Sequence, residues 1–266
     1  MIYKLIIAYD GTHYVGWQIQ PNGNSIQAEI EGALSTFLKE EISIMGAGRT
    51  DAGVHALGQV AHFKTDQTVD PVRLIHALNG ILPHDIRIKR VECVPDDFHA
   101  RYSAKSKIYH YHLWLDGPID PWIRLYRHRP KQKLSLPLLK KGAQEFVGKR
   151  DFSSFANAGS GAQSFTRTIY RLDVVAQEGG VRLEFEGDGF LYKMVRNIVG
   201  TLLEVATQKR KVEEIKSLLE AKDRTVAGIA APARGLFLIK VNYHSALREK
   251  SSEQRSCPEA FQALSS

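Results

Sequence analysis

The sequence predicts an α+β protein made of two ferredoxin-like (split βαβ) lobes that share one extended antiparallel sheet. Two observations carry this. Apolar patterns in the first hundred residues run β-α-β-β-α-β, and the same order returns between 105 and 241 with one extra helix. A third observation sets the scale: 266 residues, 43% hydrophobic, suffice for one large domain or two coupled lobes with a proper core. No residue-level repeat accompanies the recurrence, so the likeness is one of architecture.

In the first lobe, strand patterns rich in Ile, Val, Leu and Tyr fall at 2–9, 42–47, 57–64 and 86–94. Between them, "NSIQAEIEGALSTFLKE" places Ile26, Ile30, Ala33, Leu34, Phe37 and Leu38 on one helical stripe. Asn24, with Gln27 three residues on, resembles a capping arrangement. A second helix spans about 71–80, opened by Pro71 and closed near Gly80. The second lobe begins with a strand at 105–115 and a basic loop. A helix near 135–147, strands at 166–176 and 181–187, helices at 191–206 and 212–221, and a last strand at 235–241 follow. The lobes divide as 1–100 and 101–244. Residues 245–266 are polar and weakly periodic, and read as a loosely ordered tail. A sheet with helices on one face leaves its other face for a ligand.

Composition narrows the function classes. No apolar run reaches membrane-spanning length, and "MIYKLIIAYD" has no signal-peptide layout. Cys93 and Cys257 lie far apart and suggest neither a disulfide framework nor a zinc ribbon, which suits a cytoplasmic location. The net charge is +7. Lys and Arg cluster in "RLYRHRPKQK" (124–133), "RIKR" (87–90), "RYSAKSK" (101–107) and "QKRK" (208–211). Four clusters with interleaved aromatics point to a polyanion, RNA before membrane.

The chemistry concentrates in "MGAGRTDAGVHALGQ" (45–59), where small residues surround Arg49 and Asp51. Glycine there admits a close neighbour or a positive φ. The stretch is no P-loop, because the glycine spacing and the Lys-Ser/Thr pair are missing. A turn aspartate, a metal ligand and a nucleophile all remain open for Asp51. The metal reading lacks a second carboxylate at ligand spacing, and "HYH" (110–112) offers two histidines without a third ligand.

An aspartate nucleophile out of water needs a guanidinium nearby to stay ionised. Arg49 and Arg196 are the candidates. Arg196 lies in "LYKMVRNIVGTLLEVA", whose Met194, Ile198, Leu202 and Val205 face a core. Lys193, Arg196, Asn197 and Gly200 form the opposite stripe, with Gly200 open to a neighbouring chain or nucleotide. On strand 105–115, Lys107, Tyr109 and Tyr111 share one face, a cation-and-tyrosine surface suited to a stacked base near phosphate.

The sequence closely resembles the tRNA pseudouridine synthase A family from residue 1 to about 243. The resemblance rests on "YDGTHYVGWQ" (9–18), "GAGRTDAGVHALGQ" (46–59), "FHARYSAKSKIYHY" (98–111), "DFSSF" (151–155), "MVRNIVGTLLEV" (194–205) and "GLFLIKV" (235–241). It implies the pseudouridine synthase fold and isomerisation of uridines 38, 39 and 40 in the anticodon stem-loop of tRNA. It makes Asp51 the catalytic nucleophile, Arg196 its ion-pair partner and Arg49 the residue that displaces the target base. Tyr109 lies against the uracil, and Lys107 and Lys193 are expected to contact substrate. It further implies a homodimer and no metal or organic cofactor. The alternative is a non-catalytic RNA-binding module on an RRM-like sheet, which would need neither Asp51 nor Arg196; the expected RNP1 pattern is missing.

Overall fold

The computed structural model describes residues 1–159 and 161–243; the tail at 245–266 lies outside the described residues. A single sheet runs through the molecule in the order β4-β1-β3-β9-β5-β8-β7-β6, with β2 paired to β3. Its strands are β1 (Ile2–Tyr9), β2 (Met45–Gly46), β3 (His55–Lys64), β4 (Ile86–Val94), β5 (Ala104–Trp114), β6 (Gly148–Asp151), β7 (Thr166–Gln177), β8 (Gly180–Gly187) and β9 (Leu236–Tyr243). The helices are α1 (Ile26–Leu38), α2 (Pro71–Ile81), α3 (Leu136–Gln144), α4 (Met194–Ala206) and α5 (Glu214–Ala221). The first half contributes β4-β1-β3-β2 and the second β9-β5-β8-β7, the same split-βαβ order twice, as the α+β reading expects.

Strict alternation in β1 turns Tyr3, Leu5, Ile7 and Tyr9 into the core and leaves the residues between them partly exposed. Facing them, α1 buries Ile26, Ile30, Ala33, Leu34 and Leu38. Burying a large aliphatic side chain contributes roughly 1.5–3 kcal/mol, so these stripes dominate the stability of the first lobe. In the second lobe α4 buries Met194, Ile198, Leu202 and Val205 as its pattern requires.

Several expectations need correction. The cap of α1 is Ser25, whose Oγ accepts from the Ala28 amide at 3.2 Å. Gln27 instead donates to Glu31 and to the Ile44 carbonyl. The strand expected at 42–47 shrinks to Met45–Gly46, because side chains of α1 take over its backbone donors. Glu31 accepts from the Ile44 amide and Ser35 from the Ile42 amide. Strand β6, four residues of "GKRD" with no apolar alternation, gave no signal in the sequence. The seam between the halves is parallel, with His55 opposite Phe237 and Ala56 opposite Leu238. Gly58 makes it possible: a Cβ there would lie 2.4 Å from the Ile239 carbonyl oxygen.

Candidate active site

The stretch 45–59 leaves β2, turns and enters β3, and most of its glycines serve the protein's own packing. A Cβ on Gly46 would strike the Trp17 indole at 2.6 Å, and one on Gly48 would press the Lys107 ammonium at 3.2 Å. Gly53 turns with φ +74°, a conformation costly for other residues. The segment 9–18 braces the same loop. Trp17 N–H donates to the Thr50 carbonyl at 3.0 Å, and Gly16 forms an isolated bridge with Asp51. Beneath it the buried Tyr9 hydroxyl shares a 2.8 Å hydrogen bond with Thr50. The loop is thus fixed from three sides and carries Asp51 outward.

Asp51 meets Arg196 across 145 residues of chain: Nη1 of Arg196 donates to Oδ2 of Asp51 at 2.7 Å. Both side chains are largely out of water, at 15% and 14% exposure. Arg196 Nε donates to the Ala231 carbonyl at 2.7 Å, and the Ala231 amide returns a bond to the Arg196 carbonyl. One guanidinium edge is therefore spent on orientation and the other on the carboxylate. Oδ1 of Asp51 has no donor among the described residues.

The pair lines a cleft together with Arg49, Tyr109, Phe190 and Lys193. Tyr109 is 7% exposed and stands edge-on to Phe190, ring centroids 5.2 Å apart. Burial pushes its phenol pKa well above the usual range, and the negative charge on Asp51 adds to that. Tyr109 is therefore a neutral phenol, able to donate. Arg49 is exposed at the rim, with no ion pair among the described residues. Lys193 is half-buried at the start of α4, with φ +59°, and its ammonium lies 5.2 Å from the centre of the Tyr192 ring.

Lys107 stands apart from the cleft lining. Its ammonium donates to the Ala47 carbonyl at 2.8 Å, and burial lowers its pKa to about 8. It braces the loop from behind.

The cleft lies where α4 meets the sheet, since Tyr109 of β5 and Met194 of α4 both line it. One further expectation changes. Asn197 and Gly200 belong to no solvent stripe. Asn197 is fully buried, donating to the Phe155 carbonyl and accepting from Arg224. Gly200 admits the segment 228–231, its absent Cβ lying 1.8 Å from the Ile229 carbonyl oxygen. The neighbour at Gly200 is the same chain. Sequence reasoning missed Phe190, Thr50 and Leu236 as cleft-lining residues. Only the position of Phe190, just before the α4 motif, hinted at it.

His110 and His112 hold their rings 6.0 Å apart, and among the described residues no group of three His, Cys, Asp or Glu is placed to hold a metal ion. Nor is any described helix long and apolar enough to cross a membrane.

A doubled split-βαβ sheet with this cleft has the pseudouridine synthase fold. Within that class the chain belongs to the tRNA pseudouridine synthase family, whose model matches residues 5–103 and 143–244. Asp51, Arg49, Lys193 and Arg196 fall inside the matched segments; Lys107 and Tyr109 fall between them. The tRNA pseudouridine synthase A 1 of Protochlamydia amoebophila is 57% identical over 247 residues, covering 91% of this chain and 96% of that protein. The tRNA pseudouridine synthase A of an Exiguobacterium species is 47% identical over 240 residues, covering 90% and 97%. Among solved structures, a Cbf5-Nop10-Gar1 complex aligns with 88% of this chain and 57% of that one, at 13% identity and a TM-score of 0.34.

Proposed function

We propose that this chain isomerises uridine to pseudouridine at positions 38, 39 and 40 of the tRNA anticodon stem-loop, with Asp51 as the nucleophile. The observation that carries the reading is the 2.7 Å pairing of Asp51 with Arg196 in a cleft walled by Tyr109. A binding module on an open sheet has no use for such a pair. In the reaction the bond from C1′ to N1 breaks, the uracil turns, C5 joins C1′, and a proton leaves C5 while N1 takes one up. Arg196 holds the carboxylate as an anion and leaves Oδ1 for the nucleoside. The Tyr109 ring stacks on the uracil, and its hydroxyl, held protonated by burial in the free protein, is placed to assist the final loss of the C5 proton. Extracting the base from its stack costs a few kcal/mol; Arg49 at the rim takes the vacated place. Lys193 contacts substrate at the cleft wall, and Lys107 acts on it through the loop.

The lobes 1–100 and 101–244 close the cleft from its two sides. The working form is a cytoplasmic homodimer whose tRNA touches both subunits, and it uses no metal or organic cofactor. The direct test incubates the protein with tRNA tritiated at uridine C5. Tritium release into water is expected, and its absence with correctly folded protein refutes the assignment.

A further inference from the structure

The four basic clusters of the sequence do not share one fate. In 208–211, Arg210 pairs with Glu204 at 3.0 Å and lies 3.6 Å from Glu214. In 101–107, Lys107 turns inward. In 87–90, Arg90 pairs with Glu92 at 2.7 Å. Arg101 and Lys105 of 101–107 also stay clear of carboxylates among the described residues, but 124–133 is the longer run: five cations, none of them paired with a carboxylate or turned inward onto the loop that carries Asp51. Arg124, Arg127 and Arg129 donate to the backbone carbonyls of Pro121, Glu178 and Gly117, and Lys131 and Lys133 are exposed.

At the head of this arm stands Trp122, 83% exposed. An indole is an expensive group to leave in water. The turn that presents it is well made: the Asp120 carboxylate accepts from the Trp122 amide at 2.9 Å, and its carbonyl from Ile123 at 3.1 Å. The arm is also tied to the catalytic loop. The Leu125 carbonyl lies 3.1 Å from Nε2 of His55, four residues beyond Asp51, and Tyr126 donates to Asp10 at 2.6 Å. Across a groove from Tyr126 lie His84 and Arg87, which brings the 87–90 cluster to the same edge.

We propose that the arm 118–133 is a second RNA contact outside the catalytic cleft. Trp122 stacks on an unpaired base, and Arg124, Lys131 and Lys133 hold the flanking phosphates. The inference rests on the tRNA reading above and adds where the substrate is gripped. Exposed tryptophan beside unpaired cations is the chemistry of a single-strand stacking platform. The rigid tie through His55 sets the distance from that grip to Asp51.

The test uses the full chain and an unmodified tRNA transcript. Trp17 is buried and Trp114 half-buried, so Trp122 dominates the acrylamide-accessible fluorescence; Trp122→Phe supplies the baseline. Saturating tRNA should reduce quenching to that baseline. Trp122→Ala should weaken tRNA binding about 5- to 150-fold, the range for one lost stack, with kcat unchanged at saturation. Trp122→Phe should restore most of the affinity. Replacing Arg124, Lys131 and Lys133 by Gln should flatten the slope of log affinity against log salt by about 2.

Unchanged affinity of Trp122→Ala, with wild type still binding tRNA and releasing tritium, overturns this proposal and leaves the catalytic reading intact. Protection of Trp122 that grows with protein concentration in the absence of RNA also overturns it, in favour of contact between copies. A wild-type protein that neither binds tRNA nor releases tritium overturns both.

Discussion

Gly200→Ala tests how the Asp51–Arg196 pair is held. In an exposed helix interior this change stabilises by roughly 1 kcal/mol through helix propensity. Here the new methyl would lie 1.8 Å from the Ile229 carbonyl oxygen and 2.9 Å from its carbon, so the segment 228–231 must lift off α4. Three hydrogen bonds join that segment to the helix. Gly228 N–H donates to Thr201, Arg196 Nε donates to the Ala231 carbonyl, and Ala231 N–H donates to the Arg196 carbonyl.

At about 0.5–1.5 kcal/mol each, their loss costs roughly 1.5–4.5 kcal/mol, and overpacking adds about 1–3. Against a gain near 1, the net is a destabilisation of about 1.5–6.5 kcal/mol. Urea unfolding measures it. Because Ala231 orients Arg196, kcat for tritium release should fall even under conditions where the variant is folded. A variant as stable and active as wild type would refute the view that this crossing orients the guanidinium.

The remaining predictions concern the cleft and its charges. Asp51→Asn should abolish tritium release while filter binding of tRNA stays near wild type; full activity would remove the nucleophile role. Arg196→Lys keeps the charge but cannot reach both Asp51 and the Ala231 carbonyl in the same geometry. A substantial loss of kcat with little change in tRNA affinity is expected in single-turnover assays, and wild-type turnover would show that charge alone suffices. Tyr109→Phe keeps the ring, so a slowed reaction with unchanged tRNA binding is expected if the hydroxyl takes part, and an unchanged rate would show it idle.

Burial lowers Lys107 to about 8 in the folded chain, against roughly 10.4 unfolded. Between these values the unfolded chain holds a proton that the folded one lacks. Stability should therefore rise with pH across that window, by up to about 1.4 kcal/mol per unit on this group's account. Lys107→Met should flatten the rise in urea titrations between those values; an identical profile would contradict the burial of the ammonium. With about five Lys or Arg contacting phosphates over the whole protein, binding should weaken on the order of 100-fold between about 50 and 200 mM salt. Salt-insensitive binding would exclude phosphate contacts.

The element order was legible because alternation and helical stripes are local properties. The stripe on α1, the alternation in β1 and Pro71 at the head of α2 all stand where the pattern put them. The misses share one cause. The polar stretch "GKRD" became β6 because β7 offered it an edge, and Ile42–Ile44 left the ladder because Glu31 and Ser35 met their amides. Both outcomes depend on partners outside the short window in which alternation is read.

By itself the sequence determined the two-lobed α+β order, the apolar faces and the concentration of reactive residues near Asp51. Each follows from periodicity or from residue chemistry within a short window. Tertiary structure alone decided that Arg196 of α4 meets Asp51, that Lys107 props the loop from behind, and that the glycines serve Trp17, Ile239 and Ile229. It also decided that Arg90 and Arg210 of the basic clusters spend their charge on carboxylates while the cations of 124–133 do not. The physical reason is that ion pairs, close backbone approaches and burial are properties of pairs of residues far apart in the chain, and their separation in space exists only once the sheet has closed.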